Sequence, residues 1–71
     1  MNNSEIYDRL LKCAENEIKG WRRADKLSPL EREARYMPVL SGIVQSALYL
    51  LPTEDYYRFK NEIIEKGGYG I

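Results

Sequence analysis

The residues best suited to chemistry are seven cationic and aromatic side chains between positions 19 and 35. Arginine forks bind phosphate oxygens through paired hydrogen bonds, and a tryptophan ring can stack on a nucleobase. These two interactions hold single-stranded nucleic acid, so phosphate or nucleic-acid binding is one function to weigh. The set, called the basic cluster below, consists of Lys19, Trp21, Arg22, Arg23, Lys26, Arg32 and Arg35.

Acidic residues are interleaved with the basic cluster. Asp25, Glu31 and Glu33 fall within residues 19–35, which therefore carry six bases against three acids. The whole chain has eleven of each, and a net charge of zero lacks the basic excess of a dedicated nucleic-acid domain. Trp21 also falls in register with the apolar stripe of its helix, which favours a buried anchor. A solvated, salt-bridged helix end is the favoured interpretation.

Catalytic groups are poorly supplied. The chain has no histidine, and so lacks the usual general base near neutral pH and any Ser-His or Cys-His pair. The acidic pairs Glu15/Glu17 and Glu31/Glu33 are two residues apart and point away from each other on a helix. Cys13, the single cysteine, lies beside an apolar stripe and is predicted to be a small core residue. We expect no enzyme, no metal and no cofactor.

A second candidate site is a strip of small residues. Gly42 and Ser46 are four residues apart on one side of an apolar helix, with Tyr49 along the same side. Small side chains let another helix approach closely. The strip is predicted to receive Trp21 or the last helix of the same chain, or alternatively a second copy of the chain. Tyrosine, of which the chain has six, suits such interfaces because it combines a ring with a hydroxyl.

These residues are predicted to lie on helices, because apolar residues recur with helical spacing. No segment alternates apolar and polar residues with a period of two, so no strand is expected. Pro38 lacks an amide hydrogen and crowds the preceding turn, so the helix around it is predicted to kink or to stop and restart. The expected fold is all-α, a compact three- to four-helix bundle in a single domain, residues 1–71. The predicted helices cover residues 3–24, 29–36, 38–51 and 54–66.

Capping residues support these boundaries. Asn2 or Asn3 can cap the first helix, and Ser28 with Glu31 forms a capping box. Thr53 is the predicted cap of the last helix. Each of these side chains can accept a hydrogen bond from an unpaired first-turn amide.

Hydrophobic patterning predicts which side of each helix is buried. In helix 38–51 apolar residues cover nearly the whole circumference, so this helix is predicted to be central and covered on several sides. In the last helix Glu62 and Lys66 are spaced to pair at i, i+4. The tail 68–71 is expected to close the last helix or to dock on a partner. The stripe of the first helix consists of Tyr7, Leu11, Ala14, Ile18 and Trp21.

The segment YMPVLSGIVQSALYLLP, residues 36–52, resembles small uncharacterised helical proteins encoded by conjugative elements and phages of Firmicutes gut bacteria. The resemblance covers the middle third of the chain. It implies a bacterial cytoplasm and an accessory role in transfer, regulation or interference with host defence. It assigns no functional residues.

The sequence therefore predicts a non-catalytic helical protein-protein interaction module, self-associating as a homodimer in the cytoplasm. The alternative is a nucleic-acid-associated accessory protein that uses the basic cluster. A membrane span is not expected, because the longest apolar run, 39–51, is too short to cross a bilayer. The lone thiol fits a reducing compartment. The candidate interaction residues are Trp21, Arg22, Arg23, Lys26, Arg32, Arg35, Gly42, Ser46 and Tyr49.

Overall fold

Two polar side chains start helices by accepting hydrogen bonds from first-turn amides. In the computed structural model, which describes residues 2–67, Asn2 Oδ1 accepts from the Glu5 amide at 2.8 Å. Ser28 Oγ accepts from the Glu31 amide at 3.2 Å and donates to Glu31 Oε1 at 3.0 Å. Both predicted caps are confirmed. The helices that the structure describes are α1 (Asn3–Arg23), α2 (Pro29–Leu50) and α3 (Thr53–Gly67).

The start of α3 lies one residue earlier than predicted. The Tyr56 amide donates to the Pro52 carbonyl oxygen at 2.9 Å, so Pro52 takes the first helical hydrogen bond. Thr53 is therefore helical and the prediction that it caps α3 is wrong. The helix runs one residue past its predicted end at 66. The interaction expected for the tail, residues 68–71, lies outside the described residues.

Pro38 lies inside α2, so of the two predicted outcomes, a kink or a stop and restart, the stop is wrong. Residues predicted as helices 29–36 and 38–51 form one continuous helix, and the bundle has three helices over the part of the chain that is described. Proline removes one backbone donor, which leaves the carbonyl of Ala34 without its helical partner. Ala34 and Pro38 are both exposed, so water can satisfy that carbonyl. The break is avoided because the missing bond faces solvent.

One apolar core lies between the three helices. Phe59, Leu40 and Ile63 are its largest fully buried side chains. The predicted apolar stripes of α1 and α3 supply its walls, and residues 2–67 contain no strand, which confirms the all-α class. The buried residues are Tyr7, Ala14, Ile18, Leu40, Val44, Ala47, Leu51, Phe59 and Ile63.

Two predictions about burial are wrong. Cys13 is exposed, because it precedes the buried Ala14 by one residue and so points about 100° away from it around α1. The C-terminal half of α2 is not covered on several sides. Only α1 and α3 pack against it within residues 2–67, and its outward side remains exposed.

Candidate functional site

The C-terminal half of α2 exposes large apolar side chains and carries no charge. No Asp, Glu, Lys or Arg occurs in residues 36–53. The exposed fractions of four apolar residues within this stretch range from 47% at Val39 to 77% at Tyr49. The surface, called the α2 face below, consists of Val39, Gly42, Ser46, Leu48, Tyr49 and Leu50.

Helical geometry sets the layout of the α2 face. Gly42 and Tyr49 are seven residues apart, which places them about 20° apart around the helix and about 10.5 Å apart along it. Both lie on the side opposite the buried Leu40. Leu48 lies about 100° around the helix from Tyr49 on one side, and Val39 lies about 60° from Gly42 on the other. The face thus has a central line of unequal side chains between two apolar edges.

A notch lies at Gly42. A Cβ atom added at this glycine would meet no heavy atom within 4 Å, so neither Trp21 nor α3 fills the position and the within-chain prediction is wrong. The Ser46 hydroxyl donates to the Gly42 carbonyl oxygen at 2.9 Å. Its proton is therefore held within α2, a common arrangement for serine inside a helix. The small-residue strip faces outward and is open.

The basic cluster lies at the other end of α2, where its N-terminus meets the C-termini of α1 and α3. Arg22 donates to the carbonyl oxygen of Lys66 in the last turn of α3. Arg32 Nε donates at 3.0 Å to the carbonyl oxygen of Ala24, the C-cap of α1. The last carbonyls of a helix lack internal donors and form the negative end of its dipole. These two arginines therefore stabilise helix ends.

Trp21 is half-buried and packs against the core. Its ring meets that of Tyr36 edge-on, with 6.4 Å between ring centroids, and the Arg32 guanidinium carbon lies 6.0 Å from the Trp21 ring centroid. Tyr36 also lies against Gly20, where an added Cβ would be 2.8 Å from Tyr36 Cε1. A side chain at position 20 would therefore force the ring of Tyr36 to shift, a constraint that helix patterning did not indicate. The arrangement favours an anchor over a stacking platform.

The remaining cations of the cluster, Lys19, Arg23, Lys26 and Arg35, are exposed. The guanidinium carbon of Arg35 lies 5.7 Å from the ring centroid of Tyr36. Arg35 and Tyr49 are fourteen residues apart, or about 21 Å along α2. The candidate interaction residues therefore form two separate surfaces, the basic cluster and the α2 face, rather than one.

A partly buried hydrogen bond between α1 and α3 was not predicted. The Tyr7 hydroxyl donates to Glu62 Oε1 at 2.5 Å, and the Arg58 guanidinium carbon lies 4.5 Å from the Tyr7 ring centroid. Burial, and then the bond to Glu62, raises the pKa of Tyr7 to about 12. The hydroxyl is thus a donor that keeps its proton. Because Glu62 binds Tyr7, its predicted pair with Lys66 is absent, and Lys66 Nζ instead pairs with Glu15 Oε1 at 3.0 Å.

A small cleft lies beside that ion pair. It has a volume of about 190 Å³ and is lined by Glu15, Ile18, Lys19, Arg22 and Lys66. Small-molecule sites usually occupy roughly 300 to 1,000 Å³. Lys66 and Arg22 already have carboxylate and carbonyl partners here. The cleft is therefore smaller than a usual substrate pocket, and two of the cations that line it already have partners.

Within residues 2–67 no three His, Cys, Asp or Glu side chains are grouped so as to hold a metal ion. None of the helices described is both long and apolar enough to cross a membrane. Comparison with protein-family models, with curated proteins and with solved structures gives no match to this chain. The function is therefore inferred from the two surfaces described above, the α2 face and the basic cluster.

Proposed function

We propose that this protein is a non-catalytic helical interaction module that binds another protein through the α2 face. The observation that carries the proposal is the exposure of large apolar side chains on a helix half without charge. Of the six large apolar side chains exposed among the described residues, four lie between Val39 and Leu50. Scattered apolar residues are normal on a surface, whereas a concentrated patch marks an interaction site.

The composition of the α2 face matches the centre of a protein interface. Such centres are poor in charged residues and rich in tyrosine. Complete burial of a valine or leucine side chain contributes about 1.5 to 3 kcal/mol, so covering the half-exposed Val39 and Leu48 contributes roughly half of that for each. Tyr49 adds a large ring whose hydroxyl can remain at a wet edge. The α2 face can therefore bind a neutral, apolar surface.

The rest of the site supports binding without chemistry. The chain has no histidine, and Tyr7 holds its proton. A general acid or base needs a pKa near the working pH, which a hydroxyl with a pKa of about 12 does not have. The cleft of about 190 Å³ is smaller than a usual small-molecule site, and an ion pair forms part of its lining.

Phosphate binding by the basic cluster is the second candidate. It is favoured by the exposure of Lys19, Arg23, Lys26 and Arg35 at one end of the bundle. It ranks second because Trp21 is half-buried and because the other two arginines bind helix-terminal carbonyls. A short single-stranded oligonucleotide tests it by fluorescence anisotropy. Binding that weakens steeply with added salt, and that Arg23→Gln with Lys26→Gln abolishes, would promote this candidate.

The α2 face is tested by replacing Tyr49 with the photoreactive residue benzoylphenylalanine in cells that produce the protein. The matched control is the same replacement at Tyr57, which is 59% exposed on α3. We expect light-dependent adducts with a protein at position 49 and none at position 57. Adducts at neither position, or equally at both, would contradict the proposal.

A further inference from the structure

We propose that the occupant of the α2 face is a second copy of this chain, with the two α2 helices antiparallel and Tyr49 of each copy covering Gly42 of the other. This inference rests on the proposed function, because it names the partner of the same face. Three features carry it: the charge distribution, the shape of the face and the position of the basic cluster.

The charge distribution favours a copy of the chain as the partner. The eleven bases and eleven acids all lie outside residues 36–53. A charged surface docked on the α2 face would lose its water without gaining opposite charges, which is costly. A surface without charge avoids this cost. Along the described chain, the segment that offers such a surface is residues 36–53 of another copy.

The face is complementary to itself. A two-fold axis that crosses α2 midway between Gln45 and Ser46 exchanges position 42 with position 49. Tyr49 is the most exposed of the large apolar side chains on the face, at 77%, and the space beside Gly42 is open. The axis places the ring of one copy over the notch of the other, twice. A two-fold dimer needs a patch that contacts its own copy in this way.

The basic cluster favours an antiparallel over a parallel arrangement of the two α2 helices. In a parallel pair Tyr49 would meet Tyr49, the two notches would face each other unfilled, and the two basic clusters would be adjacent. Each cluster region, residues 19–35, holds six bases against three acids, so adjacent clusters repel. An antiparallel pair sends them to opposite ends of the dimer and fills both notches.

The size of the face sets the expected affinity. A standard interface buries about 800 Å² on each partner, roughly one sixth of the 4972 Å² surface of this chain. The α2 face is a strip of one helix that rises only about 17 Å between Val39 and Leu50. Interfaces at the low end of the size range are weak, so we expect a dissociation constant in the micromolar range.

Sedimentation equilibrium over a dilution series tests the dimer. We expect a dimer whose dissociation constant is the same at low and high salt, because the face is uncharged. Tyr49→Ala should weaken association at least tenfold, and the matched Tyr57→Ala should not change it. Gly42→Leu should also weaken it at least tenfold while the monomer stays folded by circular dichroism, since Gly42 is exposed and a Cβ atom there meets open space. A monomer at every concentration, or unchanged association of Gly42→Leu, would overturn the inference.

The direction of the helices is tested with purified protein carrying benzoylphenylalanine at position 49, mixed with isotope-labelled chains that identify contacts between copies. Adducts at residues around Gly42 are expected from an antiparallel pair, and adducts around Tyr49 would overturn it. The inference and the proposed function can also fail separately. A monomeric purified protein that still forms adducts with another protein in cells overturns the self-association alone. An absence of adducts in both settings overturns both.

Discussion

Two helical glycines with opposite surroundings allow a matched test of how α1 and α2 pack. Gly20 lies against the ring of Tyr36, whereas Gly42 faces open space. Alanine is favoured over glycine inside a helix by about 1 kcal/mol. At Gly42 nothing opposes that gain, so Gly42→Ala should raise the free energy of unfolding of the monomer by about 1 kcal/mol.

Gly20→Ala should not show this gain. Its new methyl group would lie 2.8 Å from Tyr36 Cε1 and 3.3 Å from Tyr36 Cζ. Carbon atoms in contact prefer about 3.5 to 4.0 Å, so the ring of Tyr36 must shift away from position 20. Overpacking of this kind costs about 1 to 3 kcal/mol. After the helix gain of about 1 kcal/mol, the net change lies between about zero and a loss of 2 kcal/mol.

Thermal unfolding followed by circular dichroism, at protein concentrations below those at which the chain associates, measures both variants. In a domain of this size, 1 kcal/mol moves Tm by about 4 to 8 °C. Gly42→Ala should melt above the wild type and Gly20→Ala at or below it, so the variants should differ by about 1 to 3 kcal/mol. An equal rise in Tm for both would refute the contact between Tyr36 and Gly20.

Three further changes test the helix contacts and caps, each by urea unfolding. Tyr7→Phe removes the bond to Glu62 and should lower the free energy of unfolding by about 1 to 2 kcal/mol. Because the pKa of Tyr7 is raised from 10.0 to about 12, the folded wild type keeps a proton that the unfolded chain releases; its extra stability should disappear as pH rises between these values, unlike in Tyr7→Phe. Pro38→Ala restores a donor for the Ala34 carbonyl and should stabilise by about 1 to 3 kcal/mol, so a destabilised variant would contradict the account of α2. Ser28→Ala loses the cap of α2 and should destabilise by about 1 kcal/mol, whereas an unchanged variant would show that the cap contributes little.

Helix starts were largely predictable because capping is a local interaction. Asn2 and Ser28 each bond to an amide three residues later, so the sequence contains both partners within one turn. Thr53 was misplaced by one residue because Pro52, although it lacks an amide hydrogen, still offers its carbonyl to the Tyr56 amide. A prediction of helix starts from capping side chains therefore misses a helix that is preceded by proline, whose side chain cannot accept a hydrogen bond.

Contacts between helices were not predictable, because periodicity gives the buried side of each helix but not its register against its neighbours. The bond between Tyr7 and Glu62 joins residues 55 positions apart. Lys66 was assigned to Glu62 on its own helix, yet it reaches Glu15 on α1. In the same way, spacing left open whether the strip around Gly42 is packed or exposed, and the open space beside Gly42 shows that it is exposed.

The prediction that α2 is covered on several sides failed for a geometric reason that also bears on function. With α1 and α3 as its only neighbours within residues 2–67, α2 can bury a limited part of its circumference, yet its apolar residues extend beyond that part. The charged residues are placed elsewhere, on the bundle end where Arg22 and Arg32 serve helix termini and along α1 and α3. Folding of the single chain therefore accounts for Leu40, Val44 and Ala47 but not for Leu48 and Tyr49. Covering those residues requires a second surface, which is why we propose that the uncharged half of α2 is an interface.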